Sequence, residues 1–112
     1  MLEALTLLTT TDAEHVILAI GEDQLPTPLD RYGHYEALAV ALCFGKKVLP
    51  GSHGTLSFPR REDEPLRPSL PAAFAENPTA FALPLLDALS AGEGATRLAL
   101  SAADRPFVVD VS

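Results

Sequence analysis

The feature that most constrains the fold of this chain is the stretch Thr27–Phe58, which combines helix-boundary signals with a long apolar run. Thr27 is suited to an N-cap and Pro28 to the first helical position. Gly45 follows the last apolar residue, which is the usual place for the glycine that ends a helix. These signals predict a helix over about residues 28–44, followed by a Gly-rich turn and a short strand.

The apolar run within this stretch also fits a strand, because large side chains alternate with small ones. The large set is Leu38, Val40, Leu42 and Phe44, and the small set is Ala37, Ala39, Ala41 and Cys43. Alanine prefers helices, so the helix is the favoured interpretation. A helix that is apolar almost all round is buried on more than one side. In so small a domain this indicates a homodimer, and it predicts that Cys43 is a buried, unreactive thiol.

The N-terminal segment contains two apolar runs, Leu2–Thr9 and His15–Ile20, with a polar connection between them. We interpret them as a β-hairpin, because the second run is short and partly β-branched. A helix is the alternative, since Thr11 and Glu14 have the spacing of a capping box and Gly21 would end the helix.

The C-terminal segment has a similar layout and predicts a second hairpin from Thr96–Leu100 and Pro106–Val111. A turn of type II at residues 49–52 would lead into a short central strand, Gly54–Phe58. Two short helical segments are predicted before the second hairpin. One covers residues 71–76, and the other begins at Asn77 or Thr79 and continues through Ser90 to a stop at Gly92.

These elements predict a single α+β domain over residues 1–112. Its antiparallel sheet would have about five strands, from the two terminal hairpins and the short central strand, with two to three helices packed on one face. A composition with 47% hydrophobic and 21% charged residues is ordinary for a globular protein.

The formal charge of −7 disfavours nucleic acid as a partner, since phosphate binding needs a basic face. One cysteine excludes an intramolecular disulfide and a Cys-based zinc site. No apolar run has the length of a membrane span, and the N-terminal residues do not resemble a signal peptide. We therefore expect a cytoplasmic protein that contacts no membrane and binds no cofactor.

Charge is distributed unevenly, with five of the eight bases between residues 46 and 67. The Pro-rich, charged segment 59–71 is predicted to be an exposed loop. Its arginines Arg60, Arg61 and Arg67 are candidates for partner binding. The favoured function is that of a non-enzymatic protein-binding module, such as an accessory, inhibitor or immunity-type protein.

The alternative function is that of a small enzyme or small-anion binder at the Gly51–Gly54 turn. Two glycines there let a ligand approach the backbone, and the polar candidates around the turn are Ser52, His53, Lys46 and Lys47. His34 would have to converge with His53 for this site to form. Asp30 and His34, four apart on the predicted helix, would share a face. The spacing matches no phosphate-binding motif, and no catalytic residue or metal ligand is assigned.

Overall fold

The computed structural model describes residues 1–63, 69–92, 94–100 and 106–112. Across these residues it contains two α-helices and five strands in two antiparallel sheets, which confirms the predicted α+β class. The single five-stranded sheet was wrong, because the strands divide into sheets of two and three. In chain order the elements are α1 (Leu2–Thr10), β1 (His15–Glu22), β2 (Leu38–Gly45), β3 (Arg60–Arg61), α2 (Leu83–Ala91), β4 (Thr96–Ala99) and β5 (Phe107–Val111). Three short 3₁₀-helices cover Thr27–Tyr32, Ala72–Phe74 and Pro78–Ala82.

The first predicted strand is helix α1, so the N-terminal hairpin was wrong in its first half. Ala4, Leu5 and Leu8 lie on one face of this helix and are buried. At its C-terminal end the hydroxyl groups of Thr9 and Thr10 donate to carbonyl groups of the preceding turn. Leu, Ala and Glu have good helix propensity, and each threonine hydroxyl bonds a carbonyl oxygen one turn earlier in the helix.

The predicted helix over residues 28–44 was also wrong, and its second half is strand β2. Strands β1 and β2 pair in antiparallel register from His15 opposite Gly45 to Glu22 opposite Leu38. The helix-start signal at Thr27 and Pro28 is real but produces only a 3₁₀-helix that ends at Tyr32. The strand alternative succeeds because alternation puts every large side chain on one face, where tertiary burial outweighs alanine's helix propensity.

We call the pair β1 and β2 the ribbon. Apart from Glu22 at one end, its inner face consists of large apolar side chains, of which Val40 and Phe44 are buried, and helix α1 packs against it. Its outer face carries the alternate residues, all of which are exposed. The members of the outer face are His15, Ile17, Ala19 and Gly21 on β1, and Ala39, Ala41, Cys43 and Gly45 on β2.

The second sheet has the strand order β3-β5-β4, and its β4–β5 pair confirms the predicted C-terminal hairpin. The predicted central strand at 54–58 lies beside β5, where Leu56 forms a single bridge to Val111. Thr55 and Ser112 also exchange two backbone hydrogen bonds. The register then moves by one residue before Arg60 pairs with Val108, so this edge is bulged around the buried Pro59.

Local signals in the second half of the chain predicted structure well. The side chain of Asn77 accepts a hydrogen bond from the Thr79 N–H, so Asn77 is the predicted cap. Helix α2 ends at Gly92 in the left-handed conformation, and Pro84 lies in its first turn. The segment predicted to be helical at 71–76 forms a single 3₁₀-turn. Of the predicted loop 59–71, residues 60–61 form β3 and residues 64–68 lie outside the described part.

The core consists of two apolar clusters that share bridging residues. One cluster joins α1 to the ribbon, and the other joins Leu85 of α2 to Val109 and Val111 of β5. Leu42 and Leu56 pack against both clusters, as does Met1. Burial of a few side chains therefore couples the ribbon to the three-stranded sheet. No helix in the described ranges combines the length and the apolar character that crossing a membrane requires.

Replacing Leu42 by alanine should destabilise the fold by about 2–3 kcal/mol, because the change removes apolar contact from both clusters and leaves a void. Far-UV circular dichroism during denaturant unfolding measures the effect, since the chain has no tryptophan. Leu49→Ala is the matched control, because that side chain is 48% exposed. Equal losses for the two variants would contradict the bridging role of Leu42.

Candidate functional site

The predicted type II turn is present at residues 49–52. Gly51 has a φ of +89°, and the N–H of Ser52 donates to the carbonyl oxygen of Leu49 at 2.9 Å. The Ser52 hydroxyl oxygen accepts from the Leu49 N–H, also at 2.9 Å. Ser52 therefore stabilises the turn through both its backbone N–H and its side-chain hydroxyl. His53, the other polar side chain of the turn, is exposed.

The two lysines before this turn contact the connection between α1 and β1. Lys46 Nζ donates to the carbonyl oxygen of Thr11 at 2.8 Å, and Lys47 Nζ lies 3.9 Å from a carboxylate oxygen of Glu14. The Lys47 side chain is 77% exposed, so its pair contributes little to stability. Both contacts link the residues that follow β2 to the connection between α1 and β1. The assignment of Lys46 and Lys47 to an anion site stays a prediction.

Gly54 allows a close approach within the chain. A Cβ atom at Gly54 would lie 2.8 Å from Leu89 Cδ2 and 3.0 Å from the carbonyl oxygen of Ser112. The glycine thus lets helix α2 and the end of β5 pack against the backbone. The space beside Gly54 is thus filled by the protein itself, whereas a Cβ atom at Gly51 would meet no atom within 4 Å.

His34 lies just beyond the 3₁₀-helix, and the predicted helical pairing of Asp30 with His34 is therefore absent. The His34 N–H donates to a Glu76 carboxylate oxygen at 2.6 Å, which ties this segment to the 3₁₀-helices near α2. Two open grooves of about 370 and 430 Å³ flank the end of the ribbon near Gly21 and Glu22. Neither groove is lined by His34 or His53. Among the described residues no group of three or more His, Cys, Asp or Glu could hold a metal ion.

The arginine candidates for partner binding have structural contacts. Arg60 makes two hydrogen bonds to the Asp110 carboxylate, at 2.7 and 3.2 Å, across the strand pair β3–β5. Arg97 also reaches Asp110, at 3.2 Å, and it contacts Glu62 at the same distance. These four side chains form an alternating ionic network. The guanidinium of Arg61 lies over the Phe107 ring, 4.8 Å from its centroid.

Arg67 lies outside the described residues, so its predicted role stays a prediction. The network itself shifts the ionisation of its members. The hydrogen bond from Arg60 holds the pKa of Asp110 below its ordinary value, and Arg97 acts in the same direction. The same contact with Asp110 raises the pKa of Arg60. The sequence did not indicate this pairing, because its partners are 50 residues apart.

The outer face of the ribbon is the surface that sequence analysis missed as a site. Ile17 at its centre is 73% exposed, and the prediction that Cys43 is buried was wrong, because Cys43 lies on this face. The His15 ring lies across Gly45, since a Cβ there would be 3.0 Å from His15 Cδ2. The alternation of large and small residues over 37–44 indicates a strand with such a face, but the helix interpretation was preferred to it.

Replacing Gly54 by alanine should destabilise the protein by about 1–3 kcal/mol, because the added methyl group meets backbone and side-chain atoms that must shift. Gly33→Ala is the control, since the nearest atom there is the edge of the Tyr35 ring at 3.3 Å. Denaturant unfolding compares the two variants. A Gly54→Ala protein as stable as Gly33→Ala would contradict the packing role.

Asp110→Asn should lower stability at neutral pH by removing the carboxylate of the ionic network. Because the folded pKa of Asp110 is depressed, its stabilising effect is present above the unfolded value of about 4. The effect is lost as pH falls through the lower folded pKa. Denaturation midpoints measured between about pH 7 and pH 2 should therefore converge for the wild type and Asp110→Asn. Asp87→Asn, at an exposed acid on α2, should show little difference; a gap for Asp110→Asn that persists at low pH would contradict this account.

Comparisons with protein-family models, with curated proteins and with solved structures find no match to this chain. Function is therefore inferred from the contacts and surfaces described above. Among them, the outer face of the ribbon differs most from an ordinary solvated surface.

Proposed function

We propose that this chain is a protein-binding module whose docking surface is the outer face of the ribbon. The observation that carries the proposal is the composition of that face. Antiparallel strands with one solvated face usually alternate apolar and polar residues. Here the solvated face has no Asp, Glu, Lys or Arg among its eight members, and an isoleucine stands exposed at its centre.

The size of the side chains on this face supports protein binding over small-molecule binding. Seven of the eight residues, all except His15, are Gly, Ala, Cys or Ile, and the backbone of the ribbon is therefore accessible to a flat partner surface. Small-molecule sites are concave clefts with a few convergent polar groups. A contiguous exposed apolar patch on a small domain is typical of a contact with another macromolecule.

The charge around the face favours protein over lipid as the partner. Glu22 and Asp23 lie at one end of the ribbon, Lys46 and Lys47 at the other end are balanced by Asp12 and Glu14, and the whole chain carries a formal charge of −7. Anionic lipid surfaces attract basic segments and repel acidic ones. This proposal keeps the predicted class of function, an accessory, inhibitor or immunity-type protein, and relocates its contact surface from the loop at 59–71 to the ribbon.

Site-specific photocrosslinking in the producing organism tests the proposal. A benzoyl-phenylalanine at position 19, on the outer face, should form discrete adducts that mass spectrometry identifies. The same group at position 87, on the exposed side of α2, is the positional control. Adding Ala41→Glu should suppress the adducts at position 19, because it places a charge in the middle of the docking surface.

Two results would count against the ribbon as a docking surface. One is an adduct yield at position 19 no greater than that at position 87. The other is a yield at position 19 that Ala41→Glu leaves unchanged. Either result would favour the segment 59–71 as the contact surface instead.

A further inference from the structure

We infer that the partner on the outer face is a second copy of this chain, packed face to face about a two-fold axis. The inference rests on the proposed function, because it names the occupant of that docking surface. Face-to-face packing is the usual way in which two sheets bury their apolar faces, about 10 Å apart. A two-fold interface requires that the surface be complementary to itself.

The positions of the bulky and small residues meet this requirement for one placement of the axis. Ala19 and Ala41 are paired at the centre of the ribbon. We place the two-fold axis between the two sheets, perpendicular to the strands and level with this pair. Ala19 of one copy then faces Ala19 of the other, and Ala41 likewise faces Ala41. Ile17 then faces Gly21 of the second copy, two residues from the centre on the other side. The large apolar side chain of this face thus meets a position that has no side chain.

The opposing surface at Gly21 is the open groove of about 370 Å³, which Ala37, Leu38 and Ala39 line together with Glu22 and Asp23. A Cβ atom at Gly21 would lie 3.2 Å from the Cβ of Ala39, so the methyl group of Ala39 already covers part of this position. Ile17, at 73% exposure, has most of its surface available for burial against it. By symmetry the contact forms twice, and each instance removes apolar surface from water.

Charge at the two ends of the ribbon selects the same axis. One end carries Glu22, Asp23 and Glu36. The other end carries Lys46 and Lys47 together with Asp12 and Glu14, so its formal charges balance and it has no acidic excess. The axis across the strands brings the acidic end of each copy to the lysine end of the other.

A two-fold axis along the strands would instead oppose each end to itself. The acids of the two copies would then lie against one another, and like charges in an interface are unfavourable. Charge complementarity therefore distinguishes the two symmetric arrangements, and it favours the one in which Ile17 meets Gly21.

The area of the outer face indicates how strongly two copies can associate. Two strands of eight residues at about 3.4 Å per residue give a footprint about 27 Å long and about 10 Å wide. The area buried by both copies is then roughly 500–600 Å², well below the roughly 1,200–2,000 Å² of stable complexes. We expect a weak, reversible dimer, because interfaces below about 1,200 Å² are typical of transient contacts.

A charge-swap experiment at Ala41 tests the inference, because this residue faces its own counterpart across the axis. Sedimentation velocity from about 10 µM to about 1 mM should show the wild type rising from 11.9 kDa towards twice that mass. Ala41→Glu and Ala41→Lys should each remain monomeric, since each opposes two like charges. An equimolar mixture of the two variants should associate again, because the opposed charges are then of opposite sign.

Ala75→Glu is the matched control, since it makes the same substitution at an exposed position outside the ribbon, and it should associate like the wild type. Circular dichroism confirms that each variant is folded. A wild type that stays monomeric through about 1 mM overturns the inference, as does a mixture that fails to associate. In either case, photocrosslinks from position 19 to a different protein would leave the proposed function standing, whereas their absence would remove both.

Discussion

The antiparallel pairing of β1 with β2 is the interaction on which the rest of the structure depends. It places the large apolar residues of both strands, except Ile17, on one face, and α1 packs against that face. Leu42 extends from that face into the second cluster, where Leu85 and Val109 are fully buried. The ribbon therefore supports both halves of the core, and its opposite face is left to solvent.

Sequence analysis predicted the elements whose signals are local. The cap at Asn77, the stop at Gly92 and the turn at Gly51 each depend on the backbone conformation of one or two residues. The C-terminal hairpin followed from a strongly β-branched run. The class of the fold followed from these elements together, because helices and antiparallel strands recur in separate parts of the chain.

The elements that sequence analysis missed are those decided by burial. Leu2–Thr9 and residues 38–44 each contain residues that suit helix and strand, and only tertiary packing chooses between them. The same limit applied to the candidate sites. Arg60 lies in a network with a residue 50 positions away, and Gly54 receives its neighbours from α2 and the end of the chain. A surface such as the outer face becomes visible only when the pairing of its two strands is known.

The bulge at Pro59 gives the two sheets different susceptibility to intermolecular strand pairing. Proline has no N–H to donate, and a register change bends the edge that precedes β3, so a further strand cannot extend a regular ladder there. Neither β1 nor β2 has a proline, a bulge or an outward lysine along its length. At high concentration, intermolecular strand pairing would therefore begin at an edge of the ribbon rather than at the bulged edge beside β3.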